Sequence, residues 1–482
     1  MAGLLSALSA GKTSLRTSQK AVEIAGNNIA NVNTPGYSRQ VAVFQPVPSL
    51  ELRGFFIGQG VNINNIAREH DVFLTRQIHD KSGTLGEESA RLAPMAELER
   101  IFSVAENNLA TEIDRFFDSW KELSTNPSGQ TERQIVLQRG DLLARSFEDA
   151  VTSLTGAQRN INASVESKVT GVNPVLREIA DLNLRISTLE ISGQTANSDR
   201  DRRDMLLEDL SKQLGVTYYE EKGQVSVQLP GGLPLVQGTQ AMSIETQMDS
   251  ALNLQLVLRT GPNTTTDLST NMLGGEFKGL LSVRDEFIPQ RMEELDHLAY
   301  SLAYQVNDLH RAGTDLDGQA GLDFFIATPD PPGAAPNPPA VPLAAHEKGF
   351  AKSLAVALSD TRQVAAAQGG VPGDPLIGDN RNALTLASLA DNLQAVDGND
   401  SFIGYFSKIT SKVGTEASRG ALAARGMEDA MVQIKNMRDA TVGVSLEEEM
   451  IDLIQFQKGF EASAKFLAVV DELMESILNL KR

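Results

Sequence analysis

The chain has 482 residues, of which 41% are hydrophobic, enough for a packed core and for more than one domain. Its 43 basic and 62 acidic residues leave a net charge of -19, which disfavours sequence-independent nucleic-acid binding, because that rests on neutralising phosphates with Lys and Arg. There is no cysteine, so disulfides, thiolate nucleophiles and thiolate metal ligands are excluded.

The first helical pattern runs from about Leu4 to Asn31 and stops at Asn33-Thr34-Pro35-Gly36. Proline removes a backbone donor, and Pro35-Gly36 suits the two central positions of a type II turn. Extended, loop-like sequence follows to about Ile66. Helices then dominate. Ile113, Phe116, Phe117, Trp120 and Leu123 make one apolar stripe; Leu143 to Val169 marks a long helix, Leu176 to Leu189 another, and Met205 to Leu214 completes the group. Period-two alternation within 216–272 predicts half-buried strands. Helix returns over Phe277 to Leu309. Gly313 to Gly318 is a turn cluster, and seven prolines between Pro329 and Pro342 make an exposed loop. Ser353 to Leu358 reads as a further strand. Helical sequence resumes at Leu384 and breaks at Gly443. Ser445 then opens the last helix as its N-cap, with Glu448 in the capping-box position.

Both ends carry a seven-residue apolar repeat. Leu8, Leu15, Val22 and Ile29 form one line; Leu446, Leu453, Phe460, Leu467 and Met474 form the other. Such spacing predicts a coiled-coil seam, with ordinary amphipathic packing inside a globular fold as the alternative. An isolated pair of short helices is marginal in water, so the ends are expected to order when they pack beside neighbouring subunits. The cluster Asn27, Asn28, Asn31 and Asn33 has two readings: helix-terminus chemistry, or amides bonding to a neighbouring subunit.

Asn27-Asn28-Ile29-Ala30-Asn31-Val32-Asn33-Thr34-Pro35-Gly36-Tyr37 resembles the N-terminal signature of the bacterial flagellar rod, hook and hook-associated proteins. Ser38-Arg39-Gln40 after it is similar to the hook-associated branch. Gly443 to Met450, continued by Leu453 to Lys465, resembles the closing motif of the same family. Inside the chain, the stretches from Asn126 to Leu137, Asp199 to Ser211 and Gly274 to Asp285 carry the same likeness. The resemblance implies a mainly α, discontinuous, multidomain axial protein with a β-rich insert. Terminal helices paired as a coiled coil, with the adjoining extended segment, would occupy 1–66 and 440–482. A long-helix bundle would occupy 67–215 and 273–439, with a loop and strand insertion at 313–382, and an outer β domain would occupy 216–272.

The function so implied is structural, at the junction of hook and filament. About eleven copies would form a ring, with the hook protein and a second junction protein as neighbours. A cytoplasmic export chaperone would hold the C-terminal helix. The subunit-packing residues would be the two apolar lines, and Asn27, Asn28, Asn31, Pro35, Gly36 and Tyr37 would supply the turn and polar contacts. The chain would reach the extracellular flagellum without a cleaved Sec signal, since Met1 to Leu8 has no charged segment before an apolar core. No stretch approaches the roughly 20 apolar residues of a membrane span.

Alternatives are a rod or hook protein, or a secreted enzyme on the same scaffold. No catalytic, cofactor or metal constellation supports the enzyme. His70, His79, His297, His310 and His346 are scattered, and His346-Glu347 lacks a second histidine, because Phe350 stands in that place. Asp315-Leu316-Asp317-Gly318 has its glycine too early for a calcium loop and reads as a turn.

Overall fold

A computed structural model describes residues 2–52, 55–103, 108–248, 254–261, 264–327 and 348–479. The proline loop at 329–342, His346 and the C-terminal Lys481-Arg482 lie outside the described residues. The chain packs as two compact units, each discontinuous in sequence. The first comprises Met1–Glu87, Lys168–Lys278 and Ala424–Arg482; the second comprises Glu88–Ser167 and Gly279–Ala423. The β-rich insert falls in the first unit, together with both chain ends.

In the first unit, α1 (Ala2–Ala30) leads through a turn into β1 (Gln40–Pro46). Tyr37 N–H donates to the Thr34 carbonyl at 3.2 Å, and Gly36 has φ 78°. That is the type II turn the Pro-Gly pair predicts. The following segment is not a loop. β1 pairs antiparallel with β4 (Val61–Arg68), with a register shift between Val43 and Phe44, and β2 (Leu50–Leu52) pairs with β3 (Phe55–Ile57). Its asparagines and prolines hide the strands from a pattern reading, because alternation is broken at the bulge.

Helix α2 (Val72–Ile101) has only a weak apolar stripe, which is why the sequence pattern passes over it. Two of its glycines face α5 (Asn197–Leu214) and the residue that closes it. A Cβ at Gly83 would lie 3.2 Å from Gly215 Cα, and one at Gly86 would collide with the Lys212 carbonyl. Gly215 ends α5 at φ 64°, a left-handed position that suits glycine. Leu74, Ile78, Met431 and Ile434 form a buried cluster beside Leu85.

Residues 130–191 form one 62-residue helix, α4, where the sequence pattern suggests two. Pro174 lies inside it without ending it. Near its C-terminus, buried Asn183 anchors the β insert. Its amide donates to the Val225 and Gly238 carbonyls (2.8 and 2.7 Å) and accepts from Val225 N–H (3.0 Å). The insert has two antiparallel sheets. One has four strands: β5 (Thr217–Glu221), β6 (Gln224–Gln228), β7 (Pro234–Gln237) and β8 (Gln240–Ala241). The other has three, in the order β11 (Thr264–Leu268), β10 (Leu254–Gly261), β9 (Ser243–Met248).

The second unit is built on aromatics. Phe116, Phe117 and Trp120 of α3 (Leu109–Thr125) meet Phe324 and Phe325 of the segment at β12 (Phe325–Ala327), and Phe402, all essentially sequestered from solvent. The helix expected over Phe277 to Leu309 is interrupted. Residues of α6 (Gly275–Ser282) pass into a π turn at Val283–Phe287 before α7 (Ile288–Ala312). Pro289 cannot donate to the carbonyl four residues back, which accounts for the widened turn. The Asp315 carboxylate accepts from the amides of Asp317 and Gln319, both at 2.8 Å, so that cluster is a turn held by its own first residue. Short α8 (Phe350–Ser353) and α9 (Arg381–Ser388) precede α10 (Phe402–Val442). Helix α11 (Leu446–Asn479), again in the first unit, closes the chain.

Candidate functional site

The two end helices pack on each other within one chain. Gly11 abuts Leu467, Ser14 meets Ser463, Ser18 faces Gly459, and Asn28 bonds Glu449. One number rises as the other falls, so α1 and α11 are antiparallel. The seam is made of small residues. A Cβ at Gly11 would lie 2.7 Å from Leu467 Cδ2, and one at Gly459 would lie 3.2 Å from Ser18 Oγ. The two serine hydroxyls are 2.8 Å apart. Ala21, Ile24 and Ala25 are buried on α1, and Ser463 and Val470 on α11.

The seven-residue lines expected at the seam lie beside it. Leu8, Leu15, Val22 and Ile29 are each half-buried. On α11, Leu446 is 47% exposed and Phe460 38%, while Leu453, Leu467 and Met474 are half-buried. A straight helix drifts by about 20° per heptad against a strict seven-residue repeat. A strict seven-residue line therefore does not stay on the contact face, and exposed and half-buried positions alternate along it from Leu446 to Leu467. In α1 the contact belongs to Gly11, Ser14, Ser18 and Asn28, whose small or polar side chains carry no hydrophobic signal.

At one end of the seam three sequence motifs converge. Asn28 is 1% exposed. Its Nδ2 donates to the Gln40 carbonyl (2.9 Å) and to Glu449 Oε2 (3.0 Å); its Oδ1 accepts from Tyr37 OH (2.8 Å) and Gln40 N–H (3.0 Å). Two donors and two acceptor sites are the full capacity of an amide. This corrects the expectation that Asn28 reaches a neighbouring subunit: its amide is spent inside the chain. Asn31 bonds Asn27 through the carbonyl (2.9 Å) and side-chain oxygen (2.6 Å), and accepts from Thr34 Oγ1 at 3.1 Å. These outer amides stay at the surface and close the helix locally. Pro35, Gly36 and Tyr37 form the turn that delivers the Tyr37 hydroxyl to Asn28.

Glu449, 2% exposed, is shared between Asn28 and Arg39, whose Nε donates to Glu449 Oε1 at 2.6 Å. Arg39 also meets Asp452 (3.2 Å), Glu448 (3.5 Å) and Glu69 (3.7 Å). One residue earlier, Ser38 Oγ and N–H donate to Asp201 at 2.7 and 3.2 Å. Arg68 bridges Asp201 (2.9 Å) and Asp204 (2.7 Å). Burial works against the Arg39 charge, yet its bonds with Glu449 prevail and hold its pKa above the ordinary value. Burial, reinforced by Asp201 and Glu449, pushes the Tyr37 hydroxyl up to about 12, so it remains a donor. Arg39, Glu449, Arg68 and Asp201 were not singled out from sequence. Arg39, Glu449 and Asp201 carry opposite charges inside three separate motifs, readable only once the motifs are known to meet, and Arg68 lies outside all three.

The arrangement joins helix ends and offers no reacting group of its own. Helix α11 keeps large apolar side chains open: Leu446, Met450, Ile451 and Ile454 in its first half, and Phe466, Val469, Leu473 and Ile477 in its second are 38–64% exposed. Among the described residues no helix is long and apolar enough to cross a membrane.

Three family models match the chain. Residues 6–37 match the flagella basal body rod protein, and residues 440–480 match the C-terminal part of the flagellar basal body rod FlgEFG proteins. These two lie on α1 and α11, and define a flagellar axial protein. Residues 95–325 match the helical domain of flagellar hook-associated protein FlgK. The chain is 24% identical to flagellar hook-associated protein 1 of Escherichia coli K12, over 97% of its own length and 98% of that protein. It is 26% identical to the protein of the same name from Bacillus subtilis 168, over 98% and 97%. A solved structure, the flagellar hook junction protein FlgK from Burkholderia pseudomallei, shares the fold with a TM-score of 0.65 at 17% identity, covering 75% of this chain and 99% of that one. The chain is similar over nearly its whole length to flagellar hook-associated proteins, and is a structural component of the bacterial flagellum that associates with other axial components.

Proposed function

We propose that this chain forms the junction between hook and filament and is built into it through its terminal helices. The observation that carries the reading is the apolar surface left open on α11 after α1 has packed against it. Contiguous exposed apolar surface on a helix marks a place where another chain binds. Segments 1–66 and 440–482 act as the assembling part; 67–215 with 273–439 form the bundle, and 216–272 the outer insert. About eleven copies form a ring, with the hook protein on one side and a second junction protein on the other. Before export, a cytoplasmic chaperone covers the C-terminal helix. The extracellular flagellum is the working location.

The test is a double substitution on the open stripe, Val469→Asp with Leu473→Asp. Both side chains are about half exposed, so the monomer should melt as before. Export should continue while filaments are lost. Ile191→Asp, at an isolated side chain 88% exposed, is the control and should swim normally. Normal motility of the double variant would overturn the reading.

A further inference from the structure

We infer that Glu449, gripped by Asn28 and Arg39, sets the register in which α11 lies along α1. The inference concerns the free chain and does not depend on how copies assemble. It starts from the smoothness of the seam. Gly11, Ser14, Ser18, Ala21 and Ala25 give α1 an almost featureless contact face. On the facing helix the apolar line repeats every seven residues, Leu467 being flanked at that spacing by Phe460 and Met474, while the small contact residues Ser463 and Gly459 are flanked by Phe456 and Val470 and by Asp452 and Phe466. Moving α11 by one heptad, about 10 Å along the axis, again places an apolar residue opposite Gly11. Hydrophobic burial alone discriminates poorly between such registers, since it is non-directional.

The polar end discriminates sharply. Asn28 is filled only when Glu449 is opposite it. A slip of one heptad presents Phe456 or Val442 in that place, leaving one buried Asn28 N–H without an acceptor and parting Glu449 from both Asn28 and Arg39. An unsatisfied buried polar group costs about 1–3 kcal/mol, and a buried polar residue at a helix interface is a well-attested way to specify register. Arg39 follows the turn at residues 34–37, so the grip is tied to a rigid point rather than to the sliding helix. Register matters because it fixes the axial position of the open α11 stripe against α1. A slipped chain would offer a neighbour the right surfaces at the wrong height.

The chain has no cysteine, so disulfide trapping reports register without background. Ser14→Cys with Ser463→Cys traps the observed register, since the two Oγ atoms are 2.8 Å apart. Ser14→Cys with Val470→Cys, or with Phe456→Cys, traps a heptad slip in either direction. With Glu449 intact, only the first pair should close under mild oxidation of purified monomer. In the Glu449→Ala background, the ratio of slipped to observed cross-link should rise about tenfold, the scale of one buried polar group left unpaired. Arg39→Ala should act in the same direction. Glu449→Gln, which can still accept from Asn28, should recover most of the original ratio. An unchanged ratio in Glu449→Ala, with helicity retained, would overturn the inference. Loss of every cross-link would overturn it too, because Glu449 would then govern whether the helices pair and not where.

Discussion

The α1–α11 seam and the core of the second unit are opposite solutions to packing. In the second unit, Phe116, Phe117, Trp120, Phe324 and Phe325 touch one another edge-on or tilted, with centroids 4.8–6.4 Å apart. Each buries a large apolar area, and such aromatic pairs contribute beyond their area. The seam instead brings Gly11, Ser14 and Ser18 against Leu467, Ser463 and Gly459. Small residues let the backbones approach but bury little, so the pair leans on its polar end at Asn28, Glu449 and Arg39. The difference fits the work of each part. A core that only has to persist uses mass, whereas helices that, on the proposed assembly, present one face to neighbours use a thin seam and a directional bond. Elements that change partners belong to the less stable part of a protein.

The most severe way to break the comparison is at Phe324, which is fully buried and meets Phe116, Phe325, Trp120 and His310. Phe324→Ala should cost about 3–5 kcal/mol, the usual range for a large core aromatic. The chain has a single tryptophan, Trp120, so its fluorescence during denaturation reads the second unit alone. The Ser14→Cys/Ser463→Cys cross-link should form as readily as before in native buffer. A shift in midpoint below about 1 kcal/mol would mean that the site collapses around the loss.

A milder break uses pH. His310 is buried in that core; one ring nitrogen is 2.5 Å from the Leu322 carbonyl and the other accepts from Ala365 N–H at 2.9 Å. Burial lowers its pKa to about 4, with the Leu322 bond opposing. The unfolded chain therefore takes up a proton near pH 6.5 that the folded chain refuses until about pH 4. Stability is full above pH 6.5 and falls as pH drops through that window. The second unit should lose about 2 kcal/mol between pH 6.5 and 5. Urea titrations at the two values, read by Trp120, would show it. In His310→Gln that dependence should flatten; an equal slope in the variant would place the proton elsewhere.

How much of this could be read from sequence varies with the kind of packing. The α3 stripe from Ile113 to Leu123 was legible, because large apolar side chains at helical spacing carry their own signal. So was the Pro35-Gly36 turn, whose geometry depends on two adjacent residues. The terminal pairing was legible as a tendency but not in its register. The eye follows leucines, and the contact is made by glycine, serine and alanine. Asn28 was visible as chemistry, but its partner lies 421 positions away, so the choice between an internal and an external bond needed the fold. β1 and β4 were missed because their pairing is interrupted by a bulge, and the π turn because the effect of Pro289 depends on the helix continuing past it.

The gentlest substitution sharpens the comparison where the seam is thinnest. Gly26 and Gly11 both lie inside α1. A Cβ added at Gly26 meets nothing within 4 Å, whereas one at Gly11 comes within 2.7 Å of Leu467 Cδ2 and 3.0 Å of Phe466 Cδ1. Replacing a helical glycine with alanine at an open position gains about 0.5–1 kcal/mol, since the unfolded chain loses freedom. Gly26→Ala should therefore raise the stability of the helix pair by that amount. Gly11→Ala starts from the same gain but must push aside the end of Leu467. That side chain can rotate, so the penalty should offset the gain without overwhelming it, leaving a change within about 0.5 kcal/mol of zero. Amide hydrogen exchange in α1 would separate the two variants. If both stabilise equally, the helices are not in close contact at Gly11, and the contrast between thin seam and massive core loses its structural basis.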